Sequence, residues 1–215
     1  KTLLYKEPPY YITLGKELPA KALDEILTDS KEIYEELQEY YKKDTSFDKI
    51  SVTFYEDTYS LYNLYRFAHY YEEAYGKYIW LKSGASLVIE HTEAMTVIDV
   101  NTGSVLKKKR QEDTLFYQIN REAAKEIARQ IRLRNISGII MIDFINMKDE
   151  KQKEKLLLLL ENECRKDRIH CNVVDMTALN LVEMTRSKVR RPLLEQITVC
   201  RKILCVSVFA GSFYN

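Results

Sequence analysis

Hydrophobic positions along the chain switch between helical spacing and strict alternation, and each switch marks an element. Ser30 to Lys42 places Ile33, Tyr34, Leu37, Tyr40 and Tyr41 near a 3.6-residue repeat and predicts a helix. Leu18 to Leu27 predicts another just before it. Ile50 to Tyr55 alternates Ile, Val and Phe with Ser, Thr and Tyr, the two-residue period of a strand. Thr58 to Tyr75 returns to helical spacing with Leu61, Leu64, Tyr65, Ala68 and Tyr75 on one face, and Gly76 stops it. Lys1 to Ile12, holding Pro8-Pro9, reads as an extended lead-in.

Past Gly84 the pattern becomes that of an α/β sheet. Ser86 to His91 and Ala94 to Val100 are two strands joined by Thr92-Glu93. Glu112 to Arg134 is a long helix with Phe116, Ile119, Ala123, Ile127 and Ile131 on one face, broken at Ser137-Gly138. Ile139 to Phe144 is a nearly continuous apolar run, the signature of a strand buried on both faces. Lys151 to Lys166 predicts a helix, Ile169 to Val174 a strand, and Ala178 to Met184 one more.

Composition narrows the class. At 215 residues the chain can hold one good-sized domain or two small ones. Its longest apolar run, Leu156 to Leu160, is far short of the roughly 18 residues that span a bilayer. Lys1 opens the chain without Met or a signal-peptide pattern, so the expectation is a piece of a longer soluble protein. Four cysteines are too few for a disulfide scaffold, which makes a reduced, cytoplasmic setting the default. Six glycines argue against Gly-rich phosphate loops.

Charge and aromatic content are unevenly dealt. Residues 1–80 hold 10 Lys/Arg against 15 Asp/Glu, whereas the rest holds 23 against 17, so a polyanion is expected to meet the back half. Most of the 16 tyrosines fall in the acidic front part. There they read as helix-face and core packing rather than as a base-stacking surface, because the local charge repels phosphate.

The chemistry sits at two strand ends. Asp99 and Asp143 each close an otherwise apolar strand, and one long helix joins the two. A strand, helix and strand of these lengths form a βαβ unit whose parallel strands end at the same sheet edge, where open α/β sheets bind ligands. As neighbours about 4.8 Å apart, the two carboxylates would repel unless a cation lay between them. Mg2+ is commonly held by one or two carboxylates, and Asn101 has the parity to assist. No His or Cys accompanies the pair, which argues against zinc there. Such a site suits Mg2+-assisted attack of water on a phosphodiester. Geometry alone leaves a plainer account equally open: two carboxylates capping loops or pairing with nearby arginines.

The residues then favour the first account. Ile89-Glu90-His91-Thr92-Glu93-Ala94, Ile98-Asp99-Val100-Asn101-Thr102-Gly103, Asn120 with Glu122 to Arg134, and Ile142-Asp143-Phe144-Ile145-Asn146-Met147 together resemble the catalytic core of the ribonuclease E/G family. Leu181 to Arg191 and Leu4-Tyr5-Lys6-Glu7-Pro8 are similar to further family segments, so the resemblance covers roughly 1–198. It implies an endoribonuclease that cuts single-stranded RNA with Mg2+, leaving 5′-phosphate and 3′-hydroxyl ends. The family's metal-binding aspartates carry over onto Asp99 and Asp143, and its supporting asparagine onto Asn101. In fold, the resemblance implies a partial ribonuclease-H-like structural subdomain over 1–80 and a deoxyribonuclease-I-like α/β catalytic subdomain over 81–198.

Departures from the family set the remaining expectations. The family's OB-fold RNA-binding domain and 5′-monophosphate pocket lie upstream of Lys1, which keeps a non-catalytic RNA-binding or scaffold fragment as the rival reading. The family's Cys-Pro-x-Cys zinc link, which joins two protomers, corresponds here to Cys200 and Cys205 with four residues between them and no proline. That spacing is tolerated by zinc motifs. The tail over 199–215 diverges from the family, however, which counts against both Zn2+ binding and a homo-oligomer built on it. Lys107, Lys108 and Arg110 follow Asn101 closely and are candidates to hold an RNA backbone, as are Arg186 and Lys188. His91 reads as packing rather than as a general base, and Arg129, Arg132 and Arg134 as partners of Glu122 and Glu126 on their helix.

Overall fold

The computed structural model describes residues 9, 11–12, 23–43, 50–103 and 112–195. The chain divides into two compact units, Lys1–Tyr70 and Tyr71–Asn215. The division falls before residue 71 rather than after residue 80 because Tyr78–Trp80 is a strand of the larger sheet.

In the first unit, strands β1 (Glu25–Thr28) and β2 (Ser51–Phe54) pair in parallel around helix α1 (Lys31–Lys42). Ser30 caps α1 by accepting from the Ile33 N–H, and Leu37 and Tyr41 bury its apolar stripe with Ile12. The helix expected over Leu18 to Leu27 is corrected at its end: β1 is extended because its backbone is recruited by β2, which overrides a helix-forming composition.

The helix expected over Thr58 to Tyr75 is two helices, α2 (Leu61–Leu64) and α3 (Phe67–Tyr75). The break is at Arg66, whose φ of 52° no right-handed helix accommodates. With the helix broken, its supposed single face disperses. Leu61 and Ala74 are buried while Tyr62, Leu64, Tyr65, Tyr70 and Tyr71 are exposed, so the tyrosines are not the core packing that the sequence suggests.

The second unit is a six-stranded mixed sheet in the order β3 (Tyr78–Trp80), β4 (Ser86–His91), β5 (Met95–Asn101), β6 (Gly138–Asp143), β8 (Leu181–Arg186), β7 (Cys171–Met176). Helix α4 (Glu112–Leu133) connects β5 to β6, and α5 (Glu150–Cys164), N-capped by Asp149, follows β6. Leu87, Ile89, Ile98, Val100, Ile140, Ile142, Val182 and Met184 alternate along the strands. They form one core with Ile119, Ala123, Ile127 and Ile131 of α4 and Leu156 and Leu160 of α5. Burying each such Leu or Ile contributes about 1.5–3 kcal/mol.

Both helices therefore cover the same face. The residues of opposite parity lie on the face turned away from α4 and α5, the open face of this unit: Tyr78, Val88, Asp99, Asp143 and Leu181 form one cross-strand row on it. This corrects the reading of β6 as buried on both sides. Ile140 and Ile142 are fully buried, but Ile139 is 48% exposed and Asp143 is exposed.

Candidate active site

β5 and β6 are register partners in parallel, the one parallel pair of the six-stranded sheet among the described residues. Asp99 pairs directly with Asp143, so the two carboxylates leave the sheet side by side on its open face. Their backbone placement follows from the apolar residues around them. Ile98 and Val100 turn inward to the helices, which forces Asp99 outward, and Ile142 and Phe144 do the same for Asp143. Asn101, two residues on from Asp99, shares its face and donates from Nδ2 to the Asp99 Oδ2 at 2.7 Å.

Electrostatics of the pair are those of two like charges held together. The Asp143 carboxyl is pushed above the ordinary carboxylate value, first by partial burial and then by the negative charge of Asp99. Among the described residues no third Asp, Glu, His or Cys converges on the pair to form a fuller metal-binding group. Two carboxylate oxygen donors with an amide alongside form a hard donor set of the kind Mg2+ accepts while keeping most of its water shell. The residues present thus fit that ion, and a cation between them would relieve the part of the Asp143 shift that comes from Asp99.

Buried polar groups fix the two loops that leave this edge. Asn120, on α4 and fully buried, donates from Nδ2 to the Ile145 carbonyl at 2.7 Å and accepts from the Ile145 N–H at 3.0 Å. It clamps the chain two residues past Asp143. Past Asn101, Gly103 adopts a φ of +56° and approaches Gly84 so closely that a Cβ would lie 2.7 Å from the Gly84 carbonyl oxygen. Sequence inspection places Asn120 in a family block without assigning it this role. The available signal is a polar residue on the otherwise apolar stripe of α4.

The other candidates are not gathered at this edge. Arg186 pairs with Gly138 at the opposite end of β6, about 16 Å away at 3.3 Å per residue. It is 4% exposed, with its guanidinium donating to the Asp167 carboxylate at 2.9 Å, to the Asn135 Oδ1 at 2.9 Å and to the Ile136 carbonyl at 2.8 Å. The expectation of a phosphate contact is corrected for this residue: its donors are spent inside the fold. Lys188 is exposed beyond the end of β8, at that same far end. Lys107, Lys108 and Arg110 lie outside the described residues, as do Cys200 and Cys205. His91 sits at the far end of β4, opposite Thr96, where its Nδ1 is 2.9 Å from the Thr96 hydroxyl. Burial, aided by the Arg134 charge, pushes its pKa down.

Arginines of α4 behave partly as expected. Arg129 forms a two-pronged pair with Glu126, but Glu122 accepts instead from the backbone N–H groups of Lys82 and Ser83, at 2.7 and 3.3 Å. Arg134, 2% exposed, donates to the Gln130 Oε1 and to the carbonyls of Glu73 and Gly76.

The second unit is thus a mixed α/β sheet with two aspartates paired across adjacent parallel strand ends. The chain belongs to the Ribonuclease E/G family, whose sequence pattern matches residues 1–189. It is 39% identical to Ribonuclease G of Escherichia coli strain K12 over 168 residues, which is 78% of this chain and 34% of that protein. It is 36% identical to Ribonuclease G of Haemophilus influenzae over 193 residues, covering 90% of this chain and 39% of that protein. Ribonuclease E of Nostoc is 44% identical over 108 residues, half of this chain and 16% of that protein. The chain thus spans little more than a third of the length of the Ribonuclease G relatives it matches.

Proposed function

We propose that this chain carries the catalytic core of a Mg2+-dependent endoribonuclease. It hydrolyses phosphodiester bonds of single-stranded RNA to 5′-phosphate and 3′-hydroxyl ends in cytoplasmic RNA processing and decay. The observation that carries the reading is the direct register of Asp99 with Asp143 on the open sheet face, in a member of this family. In fold terms, the first unit would correspond to a partial ribonuclease-H-like structural subdomain and the second, with Tyr78–Trp80 in its sheet, to a deoxyribonuclease-I-like catalytic subdomain.

Asp99 and Asp143 would hold Mg2+. The bound ion would supply charge neutralisation at the phosphoryl group and a lowered pKa for an attacking water. Asn101 holds the Asp99 carboxylate in one rotamer through its 2.7 Å hydrogen bond, leaving the other carboxylate oxygen for a ligand. Asn120 and Gly103 keep the two loops at fixed spacing. Lys107, Lys108 and Arg110, six to nine residues after Asn101, would neutralise RNA phosphates as they pass this edge.

The test is incubation of the 215-residue chain with a 5′-labelled unstructured A/U-rich RNA, in Mg2+ and in EDTA, with mapping of both product ends. Cleavage in Mg2+ alone, giving 5′-phosphate and 3′-hydroxyl products, supports the reading. A folded chain that shifts this RNA on a gel but does not cut it would instead favour the RNA-binding scaffold.

A further inference from the structure

The edge strand two places from Asp99 in the sheet carries two large aromatic side chains into solvent. Tyr78 and Trp80 of β3 are 59% and 73% exposed, with Ile79 between them turned into the core. Through the register, Trp80 lies opposite Ser86, and Ser86 opposite Asn101. Tyr78 lies opposite Val88, Val88 opposite Asp99, and Asp99 opposite Asp143. Both aromatic rings therefore stand on the same open face as the candidate catalytic residues. Two strand spacings, about 9.6 Å between backbones, separate Trp80 from Asn101 and Tyr78 from Asp99.

This platform is built rigidly for a strand of three residues. Arg134, in the turn just past the end of α4, donates to the Glu73 and Gly76 carbonyls just before β3, at 2.9 and 2.7 Å. Glu122 of α4 accepts from the Lys82 and Ser83 N–H groups just after it. The anchors come from α4 and from the turn that ends it, and α4 also carries the Asn120 clamp on the loop past Asp143. This helix and its closing turn thus fix the aromatic strand and the carboxylate edge in a single frame.

We infer that Trp80 and Tyr78 form a base-stacking subsite that holds a nucleotide of single-stranded RNA one short step from the scissile phosphate. The inference rests on the ribonuclease reading for the identity of the ligand. Stacking is the force available here because the surrounding charge does not favour phosphate. Asp99, Asp143 and Glu90 occupy this face, and Lys77, beside the Tyr78 ring at 5.7 Å, is paired with Glu90. Aromatic faces accept any base, which suits a nuclease acting on unpaired RNA. Trp80 and Tyr78 are positioning residues: they place the strand and leave the bond-breaking to the carboxylate edge.

Trp80 is the single tryptophan of the chain, so its emission reports the subsite directly. The experiment titrates the 215-residue chain in EDTA with an A/U oligoribonucleotide of about ten nucleotides, within the site sizes of single-strand binders. A second arm uses the same backbone with abasic units. Stacking predicts quenching by the base-bearing strand and little by the abasic one. By anisotropy of fluorescein-labelled RNA, Trp80→Ala weakens binding roughly 5- to 140-fold, the 1–3 kcal/mol of one stacked base, and Trp80→Phe restores most of it. The slope of log K against log salt stays unchanged, because no phosphate contact is lost. In Mg2+, Trp80→Ala raises KM with kcat retained.

Unaltered affinity and KM in Trp80→Ala and Tyr78→Ala, with no quenching, overturns the subsite even if the wild-type chain cuts RNA. Base-dependent quenching by a chain that never cuts supports the subsite and removes the nuclease reading instead.

Discussion

The amide of Asn120 makes a two-way hydrogen bond with the backbone of Ile145, donating to its carbonyl at 2.7 Å and accepting from its N–H at 3.0 Å. Asn120 is fully buried, so the clamp is not shared with solvent. Asn120→Ala leaves both backbone groups without their partner. A loss of about 2–3 kcal/mol in urea unfolding is expected, with a fall in RNA cleavage that Mg2+ cannot restore. An Asn120→Ala variant as stable and active as the parent would show that the loop past Asp143 holds itself.

Asn101 donates to Asp99, and the proposed site gives it the task of orienting that carboxylate. Removing its 2.7 Å hydrogen bond in Asn101→Ala frees the carboxylate to rotate. Cleavage should fall roughly 10- to 100-fold, with a higher Mg2+ concentration needed for half-maximal rate, as for other residues that orient a metal ligand. Asn101→Asp adds a third negative charge beside the first and should be worse than Ala. An identical Mg2+ dependence in all three proteins would contradict this role.

Asp143 gives a stability effect whose sign follows from its raised pKa. A carboxyl that binds its proton more tightly when folded than when unfolded destabilises the fold once it ionises. The penalty is absent well below the ordinary carboxylate value of about 4, and complete above the raised folded value. At pH 7, therefore, Asp143→Asn should melt at a higher temperature than the parent, and near pH 3 the two should converge. Mg2+ should raise the Tm of the parent by binding the folded state, and do so much less in Asp143→Asn. A lower Tm in the variant at pH 7 would count against a carboxyl raised by its burial and by Asp99.

Arg186 and Asp167 form an ion pair whose side chains are 3% and 4% exposed. Arg186→Met strands a buried carboxylate and should cost about 3–5 kcal/mol, whereas Arg186→Met with Asp167→Leu should recover much of that. Urea unfolding of the three proteins measures it. RNA affinity per folded molecule should be unchanged, which separates a structural arginine from a phosphate contact.

What could be read from the sequence divides along physical lines. The strands bearing Asp99 and Asp143 were legible because short apolar runs flanking a long amphipathic helix admit few topologies, and parallel pairing brings their ends together without further information. The family blocks then fixed which polar residues to watch. The open sheet face was not legible, since an apolar strand such as β6 looks the same whether one or both faces are covered. Arg186 was misleading for a related reason. Its charge is visible in the sequence, but its partner Asp167 is nineteen residues away and meets it only through tertiary packing. The break at Arg66 has no glycine or proline to announce it, and β1 looks helical until β2 pairs with it. Tyr78 belongs to the tyrosines that the sequence assigns to packing, and the pattern marks neither it nor Trp80 as a strand residue, because a three-residue strand shows almost no period.

The most direct measurement compares the initial rates of RNA cleavage by the parent chain, Asp99→Asn and Asp143→Asn at saturating Mg2+, with the Tm of each recorded alongside. Catalysis by the paired carboxylates predicts that both variants fold, that Asp143→Asn melts no lower than the parent, and that neither cuts RNA above the EDTA background. Cleavage at the parental rate by either folded variant would contradict the assignment of this edge as the catalytic centre.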